Sequence, residues 1–406
     1  MPDFGECMAA EWSSPDWAGL IVLCAANNWD DVRLSDRPLA EQLTRFAPVL
    51  YVDPPLSHLA PRSNPRVRPA LRRPRLRLVA PGLARLTPVV TPRPFRPAIT
   101  PVTRAIVRRS IGRAIETLGA DVQAVISTLL LIDVFDLAPA ARHVYWCQDD
   151  TAAGAGHWGM DPRRLLAGEE QVAAAADLVL AASPLAAERW RTRGRPAQAL
   201  PNGCDVDRFT NAPTAAEAAP ARTGDTPVAG FVGHLNERSD LGLLEAVVDA
   251  GTQLLLVGPI ADTLAGPRLE RLLARPGVQA VGAQPYEDLP DWLSRMDVGL
   301  VPYRDDEFNR WSFPLKTLEY LAAGLPVVST DLPAVRWLDC PEVTAVNDPA
   351  GFTAAVHRRA ASARNPELVR ARQAFARTHS WAERARALAA VLDVRPRLDS
   401  LGSSDV

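Results

Sequence analysis

Short apolar, β-branched runs alternate with longer stretches of helical periodicity along the whole chain. Runs at 20–25, 49–52, 124–127, 143–147, 178–181 and 197–200 predict strands, and the spans 37–46, 103–118, 164–176 and 185–193 predict helices. The second half repeats the rhythm. Strands are expected at 228–232, 253–257, 278–281, 298–301 and 326–329, and helices at 241–250, 268–274, 286–295 and 315–323. Strands separated by helix-length segments make parallel sheets with helices on both faces, so the pattern predicts an α/β protein of two doubly wound domains. Ligands of such sheets sit beyond the carboxyl ends of the strands, which predicts a site where the domains face each other across a cleft.

A chain of 406 residues exceeds what one ordinary core organises. The seam lies after LPNGCDVDRF, where Asn202-Gly203 signals a turn and a small, polar, proline-bearing stretch follows. The expected plan is a first doubly wound domain over 1–205, a linker over 206–226 and a second over 227–378. A helix within 379–406 would pack back on the first domain before a tail.

Composition narrows the picture. A hydrophobic share of 47% excludes a disordered chain, and a net charge of −2 gives no general attraction to nucleic acid. The five cysteines are scattered without a CxxC pair, as expected of reduced thiols rather than a zinc site. The first residues carry acids and no basic region, unlike a signal peptide, and the apolar runs are shorter than the ~20 residues of a membrane span. A cytoplasmic protein, with any membrane contact peripheral to the cytoplasmic face, is therefore expected.

The segment 61–113 stands apart, rich in arginine and proline and without one acidic residue. It fits either a solvated loop and helix face, or a basic lip that attracts an anionic lipid leaflet or a phosphorylated acceptor. Its single aromatic, Phe95, offers no stacking platform for RNA.

Two stretches carry candidate chemistry. In EFNRWSFPLKTLEYLAAGLPVVSTDLPAV (307–335), Ser312 or Phe313 is placed to cap a helix and Pro314 to enter its first turn. Unpaired amides at that helix start form an anion site suited to a diphosphate. Lys316, the only lysine of the chain, adds a charge there, and Glu319 lies three residues on, so both can address one ligand; a carboxylate suits a ribose diol. The alternative is an ordinary amphipathic helix with both side chains on its solvated face. In VAGFVGHLNERSDLGLLEAV (228–247), a strand meets a polar loop at Gly233, His234 starts the loop, and Arg238 can pair with phosphate. No GxGxxG or Walker ending is present. In the first half, Asn27–Asp31 and Asp149, Asp150 and His157 follow strand ends at the cleft edge and are candidates to orient a second substrate's hydroxyl, with Asp149 the preferred single candidate.

GFVGHLNERSDLGLLEAV, LLLVGP, VGAQPYEDLPDWLSRMDVGLVPY and FPLKTLEYLAAGLPVVST, in that order, resemble the donor-binding half of glycosyltransferase family 4. The bacterial branch of teichuronic-acid and capsular-polysaccharide type is the nearest look. YWCQDD and LPNGCDVDRF in the first half are similar to the same family's approach to the domain crossing. The resemblance implies a GT-B fold, a nucleoside-diphosphate sugar as donor substrate, no cofactor, no metal, and transfer with retention. Carried over, Arg238 and Lys316 would hold the diphosphate and Glu319 the ribose. Ser312, Phe313, Pro314 and Leu315 would line the phosphate side, Gly282 to Tyr286 the nucleobase, and Gly258 and Pro259 the donor pocket.

Two positions depart from the family pattern. Many members have Gly-Arg where this chain has Gly233-His234, and a glutamate where it has Trp311. These departures motivate one alternative, a degenerate nucleotide-sugar-binding scaffold; the other is an epimerase of the same fold, against which the missing carboxylate at Trp311 argues. The implied partners are the donor, a glycan, glycolipid or small-molecule acceptor and an anionic membrane surface, with no nucleic acid.

Overall fold

The computed structural model describes residues 17–151, 160–210 and 226–394. The chain divides into two compact units. Among the described residues, one takes those up to Ala182, Ala186–Leu200 and those from Arg384 on; the other takes Ser183–Leu185 and Pro201–Glu383. Val206–Thr210 is helical, so a helix occupies the start of the span expected as linker; most of the remainder lies outside the described residues.

The first unit is built on an eight-stranded sheet. Its order is Ala197–Ala199, Leu178–Ala181, Arg142–Cys147, Val122–Ser127, Leu20–Cys24, Val49–Val52, Leu83–Leu86 and Leu76–Ala80. Leu20–Cys24, Val49–Val52 and Leu178–Ala181 are apolar and buried at every position, as expected of parallel strands covered on both faces. Only the edge strand Leu76–Ala80 runs antiparallel to its neighbour.

That edge corrects the expectation for 61–113. The segment is not a loop and helix face alone: it contributes two strands of the sheet, and Arg85 and Arg77 within them are buried. The alternation that marks a strand is masked there, because arginine stands where an apolar residue would. Arg85 is tolerated at 1% exposure because Asp53 and Asp30 accept from it at 2.8 and 2.9 Å.

The second unit holds a six-stranded, wholly parallel sheet. Its order is Val278–Ala280, Gln253–Val257, Val228–Val232, Val298–Val301, Val327–Ser329 and Val343–Ala345. The strand order reverses between Val228–Val232 and Val298–Val301, so the loops after these strands diverge and leave a crevice at their carboxyl ends. Small residues let helices close on the sheet. A Cβ on Gly299 would lie 2.3 Å from the Tyr320 ring, and one on Gly230 2.0 Å from the Met296 sulfur. Helices Pro333–Leu338, Pro349–Ala361 and Pro366–Arg377 and the strand Val343–Ala345 add to the elements expected from the pattern. Among the described residues, no helix is long and apolar enough to cross a membrane.

Candidate functional site

The crevice of the second unit starts from backbone. Gly233, at the end of its strand, has φ +146° and its N–H donates to the Val257 carbonyl at 2.9 Å. Gly258, with φ +140°, ends the neighbouring strand so close that a Cβ there would sit 2.0 Å from the Gly233 carbonyl oxygen. No L side chain fits either requirement comfortably. The Gly258 N–H continues the line by donating to Gly282 at 2.8 Å. Three expected donor-site glycines thus lie along the carboxyl ends of three adjacent strands.

Arg238, on the loop that follows Gly233, is clamped. Its Nε donates to Asn309 Oδ1 at 2.9 Å and its Nη2 to Ser312 Oγ at 3.1 Å. The guanidinium lies over the rings of Phe308 at 4.5 Å and Tyr303 at 5.0 Å, an arrangement that favours the cation. Asn309 is fully buried and its Nδ2 donates to the carbonyls of Arg238 and Arg304 at 3.3 and 3.0 Å. Asp306 caps the short helix Glu307–Trp311 by accepting from the Asn309 N–H, which fixes Asn309 in turn.

Ser312 therefore does not cap the next helix, as the sequence suggested; its hydroxyl accepts from Arg238 and donates to the Asn309 carbonyl at 3.2 Å. Phe313 does not cap it either. Pro314 stands at the cap position of Leu315–Ala322 rather than in its first turn, and no side chain caps that end. The helix start keeps amides available to an anion.

Lys316 lies in that first turn. Its Nζ is 2.6 Å from Glu319 Oε2, and its Cε is 3.9 Å from where a Gly233 Cβ would be. The two groups share one face of the helix, as expected, and pair with each other there. The alternative of a solvated helix face fails, since the Glu319 side chain is 4% exposed and that of Lys316 23%. Tyr320, next in the chain, is buried; its hydroxyl accepts from the Val232 N–H at 2.7 Å and donates to Leu300 at 3.3 Å. It joins this helix to the two strands that flank the crevice.

Other expected residues are placed differently. His234 is exposed at the loop start, and Leu315 is half-buried. Phe313 is buried, edge-on to Trp337. Phe209 meets the Tyr286 ring edge-on at 5.9 Å and Arg208 lies over it at 5.1 Å. Trp311 is half-buried, and its carbonyl accepts from Ser183 Oγ at 2.8 Å. Asn309, Tyr303, Phe308 and Tyr320 were not singled out from sequence. Asp306 three residues before Asn309 is the one local signal that could have pointed to the first of them.

In the first unit the acceptor candidates lie on loops held by buried carboxylates. Asp36 accepts from the Asn27 N–H and Nδ2 at 3.0 and 2.8 Å and from Gln148 Nε2, joining the loops at 27–31 and 148–151. Asp53 accepts from the Trp29 N–H at 2.9 Å, and Glu169 from Tyr145 and Thr151 at 2.9 and 2.7 Å. Burial pushes all three carboxyls above their ordinary pKa, with Arg85 opposing the shift at Asp53. Asp149 is exposed and Asp150 is buried against Arg189 at 3.0 Å; His157 lies outside the described residues.

Residues 226–361, which contain the whole crevice, match the family model described as Glycosyl transferases group 1. The match covers about a third of the chain and lies within the second unit. Over 185 residues the chain is 29% identical to a Bacillus subtilis protein named for teichuronic acid biosynthesis, TuaH, covering 44% of this chain and 46% of that one. Over 249 residues it is 32% identical to a D-inositol 3-phosphate glycosyltransferase of Geodermatophilus obscurus, covering 54% and 53%. The chain thus spans about half the length of these curated relatives.

Solved structures align more completely. Sucrose-phosphate synthase from Thermosynechococcus elongatus superposes with a TM-score of 0.70 at 18% identity, covering 92% of this chain and 98% of that one. Anabaena HepE in complex with UDP gives 0.65 at 14%, covering 92% and 99%. These superpositions show the two-domain GT-B fold.

Proposed function

We propose that the chain transfers a sugar from a nucleoside-diphosphate donor to an acceptor hydroxyl. The observation that carries this is the convergence on one strand-end crevice of the clamped Arg238, Lys316 beside Gly233, and the uncapped start of Leu315–Ala322. Glycosyl transfer leaves an oxocarbenium-like centre and a departing diphosphate, so the greatest benefit comes from positive groups already fixed where that charge develops. Arg238 meets this condition through its four neighbours. Lys316 meets it through Glu319, whose remaining oxygen suits a ribose hydroxyl.

Two cations and a helix start suffice to hold a diphosphate, which supports a metal-independent reaction; retention is the outcome proposed at the anomeric carbon. Uridine is the first base to test, because HepE is a UDP complex. The TuaH likeness supports a role in cell-surface polysaccharide or glycolipid synthesis, and exposed arginines near 62–73 support peripheral membrane contact. Asp149 is the proposed acceptor-side residue.

The test is product analysis. The protein is incubated with UDP-, GDP-, ADP- and dTDP-sugars and a panel of glycan and lipid acceptors, with free nucleotide and product anomer followed by NMR. Acceptor-dependent nucleotide release with an unchanged anomer supports the proposal. An isomerised donor without acceptor would establish an epimerase instead.

A further inference from the structure

The acid-free arginine stretch is not uniform. Arg77 and Arg85 are buried in the first sheet, and Arg108 pairs with Asp136. Arg68, Arg72 and Arg73 behave differently. They are exposed, and together with Pro65 and Pro69 they line one cavity of about 390 Å³. Among the described residues, none of the three side chains takes a hydrogen bond or a carboxylate partner, and no acidic residue lines the cavity. Arg68 and Arg72 lie one turn apart on the helix Arg68–Arg72, where like charges repel. An anion in the cavity relieves that repulsion.

The cavity is also held in place. Val67 and Ala70 of this segment are buried with Leu56 in a small core of their own. Asn64 Oδ1 accepts from the Arg66 N–H, and its Nδ2 donates to Asp31 Oδ2 at 2.6 Å. The arginine turn is thereby fastened to the 27–31 loop, which follows the carboxyl end of the first strand, the end at which such sheets bind ligands. Arginine's planar fork matches phosphate oxygens, and three forks around one concavity suit a phosphate or diphosphate better than a single carboxylate.

We propose that the cavity lined by Arg68, Arg72 and Arg73 is a subsite for a phosphate or diphosphate group carried by the acceptor. The assignment rests on the glycosyl-transfer proposal for its role, though not for the binding itself. The phosphate can belong to a lipid headgroup or to a soluble phosphorylated acceptor.

The experiment compares wild type with R68S/R72S/R73S, both carrying Lys316→Ala so that the donor crevice contributes less and equally to both. Cosedimentation with phosphatidylglycerol-rich and phosphatidylcholine vesicles and calorimetric titration with pyrophosphate are the readouts. At about fivefold for each arginine beside an anionic surface, the triple variant should bind the anionic vesicles roughly 100-fold more weakly, and neither protein should bind phosphatidylcholine. Loss confined to vesicles identifies a lipid headgroup; loss of pyrophosphate binding as well identifies the phosphate group itself.

R68K/R72K/R73K, which keeps the charges, should retain vesicle binding and controls for folding. Equal binding of both anions by wild type and the serine variant, or no binding by wild type, overturns the assignment. With Lys316 intact, a UDP-induced thermal shift is measured separately. Its absence alongside arginine-dependent anion binding would sink the donor proposal and leave this one standing.

Discussion

Asn309 and Arg238 hold each other by both backbone and side chain: Arg238 Nε donates to Asn309 Oδ1 at 2.9 Å, and Asn309 Nδ2 donates back to the Arg238 carbonyl at 3.3 Å. A guanidinium fixed in this way loses little freedom when a phosphate arrives. Asn309→Ala should therefore raise the donor KM about tenfold or more and lower stability by about 1–3 kcal/mol, since buried partners are left unsatisfied. Steady-state kinetics and urea unfolding check both. An unchanged KM would show that the clamp does not serve the donor.

Gly258→Ala tests the backbone of the crevice. The added methyl must avoid the Gly233 carbonyl, 2.0 Å from its ideal position, at a residue with φ +140°. Donor affinity should fall by at least tenfold while the far-UV spectrum stays native. Retained affinity would mean that the two strand ends can separate without consequence.

Arg85→Ala leaves Asp53, 1% exposed, without its guanidinium partner. Breaking a buried ion pair from one side costs about 3–5 kcal/mol, so a large drop in the denaturant midpoint is expected. A loss below about 1 kcal/mol, the range of surface pairs, would contradict the buried placement of this arginine.

Glu169 supplies the pH dependence. Burial raises its folded-state pKa above the ordinary 4.5, so its stabilising contribution is full below 4.5 and is lost as pH rises through the raised value. The Tm of wild type minus that of Glu169→Gln should accordingly fall as pH increases from 4.5. A difference that grows with pH would mean that its hydrogen bonds from Tyr145 and Thr151 outweigh burial and hold the pKa down.

The sheets were legible wherever strands are continuously apolar, as at Leu20–Cys24 and Val298–Val301, because both faces are covered and no polar residue interrupts them. Leu76–Ala80 and Leu83–Leu86 were hidden for the opposite reason: buried arginines neutralised by residues distant in sequence mimic a solvated segment. The same limit applies at the site. Gly233, Arg238, Lys316 and Glu319 stand out by type and spacing, and the structure gathers them in one crevice. What spacing cannot show is which partner each side chain takes. Lys316 and Glu319, expected on one face, also pair with each other, and Ser312 was expected to cap a helix and instead holds Arg238.

The central claim is that the crevice around Gly233, Arg238 and Lys316 binds a nucleoside diphosphate. A thermal-shift panel of UDP, GDP, ADP and dTDP on wild type and Lys316→Ala tests it most directly. A ligand at about 100 times its Kd adds roughly 2.7 kcal/mol of stability. One nucleotide should raise the Tm of wild type and fail to raise that of Lys316→Ala to the same extent. If no nucleotide shifts wild type, or if the same shift persists without the Lys316 ammonium, the donor assignment is wrong.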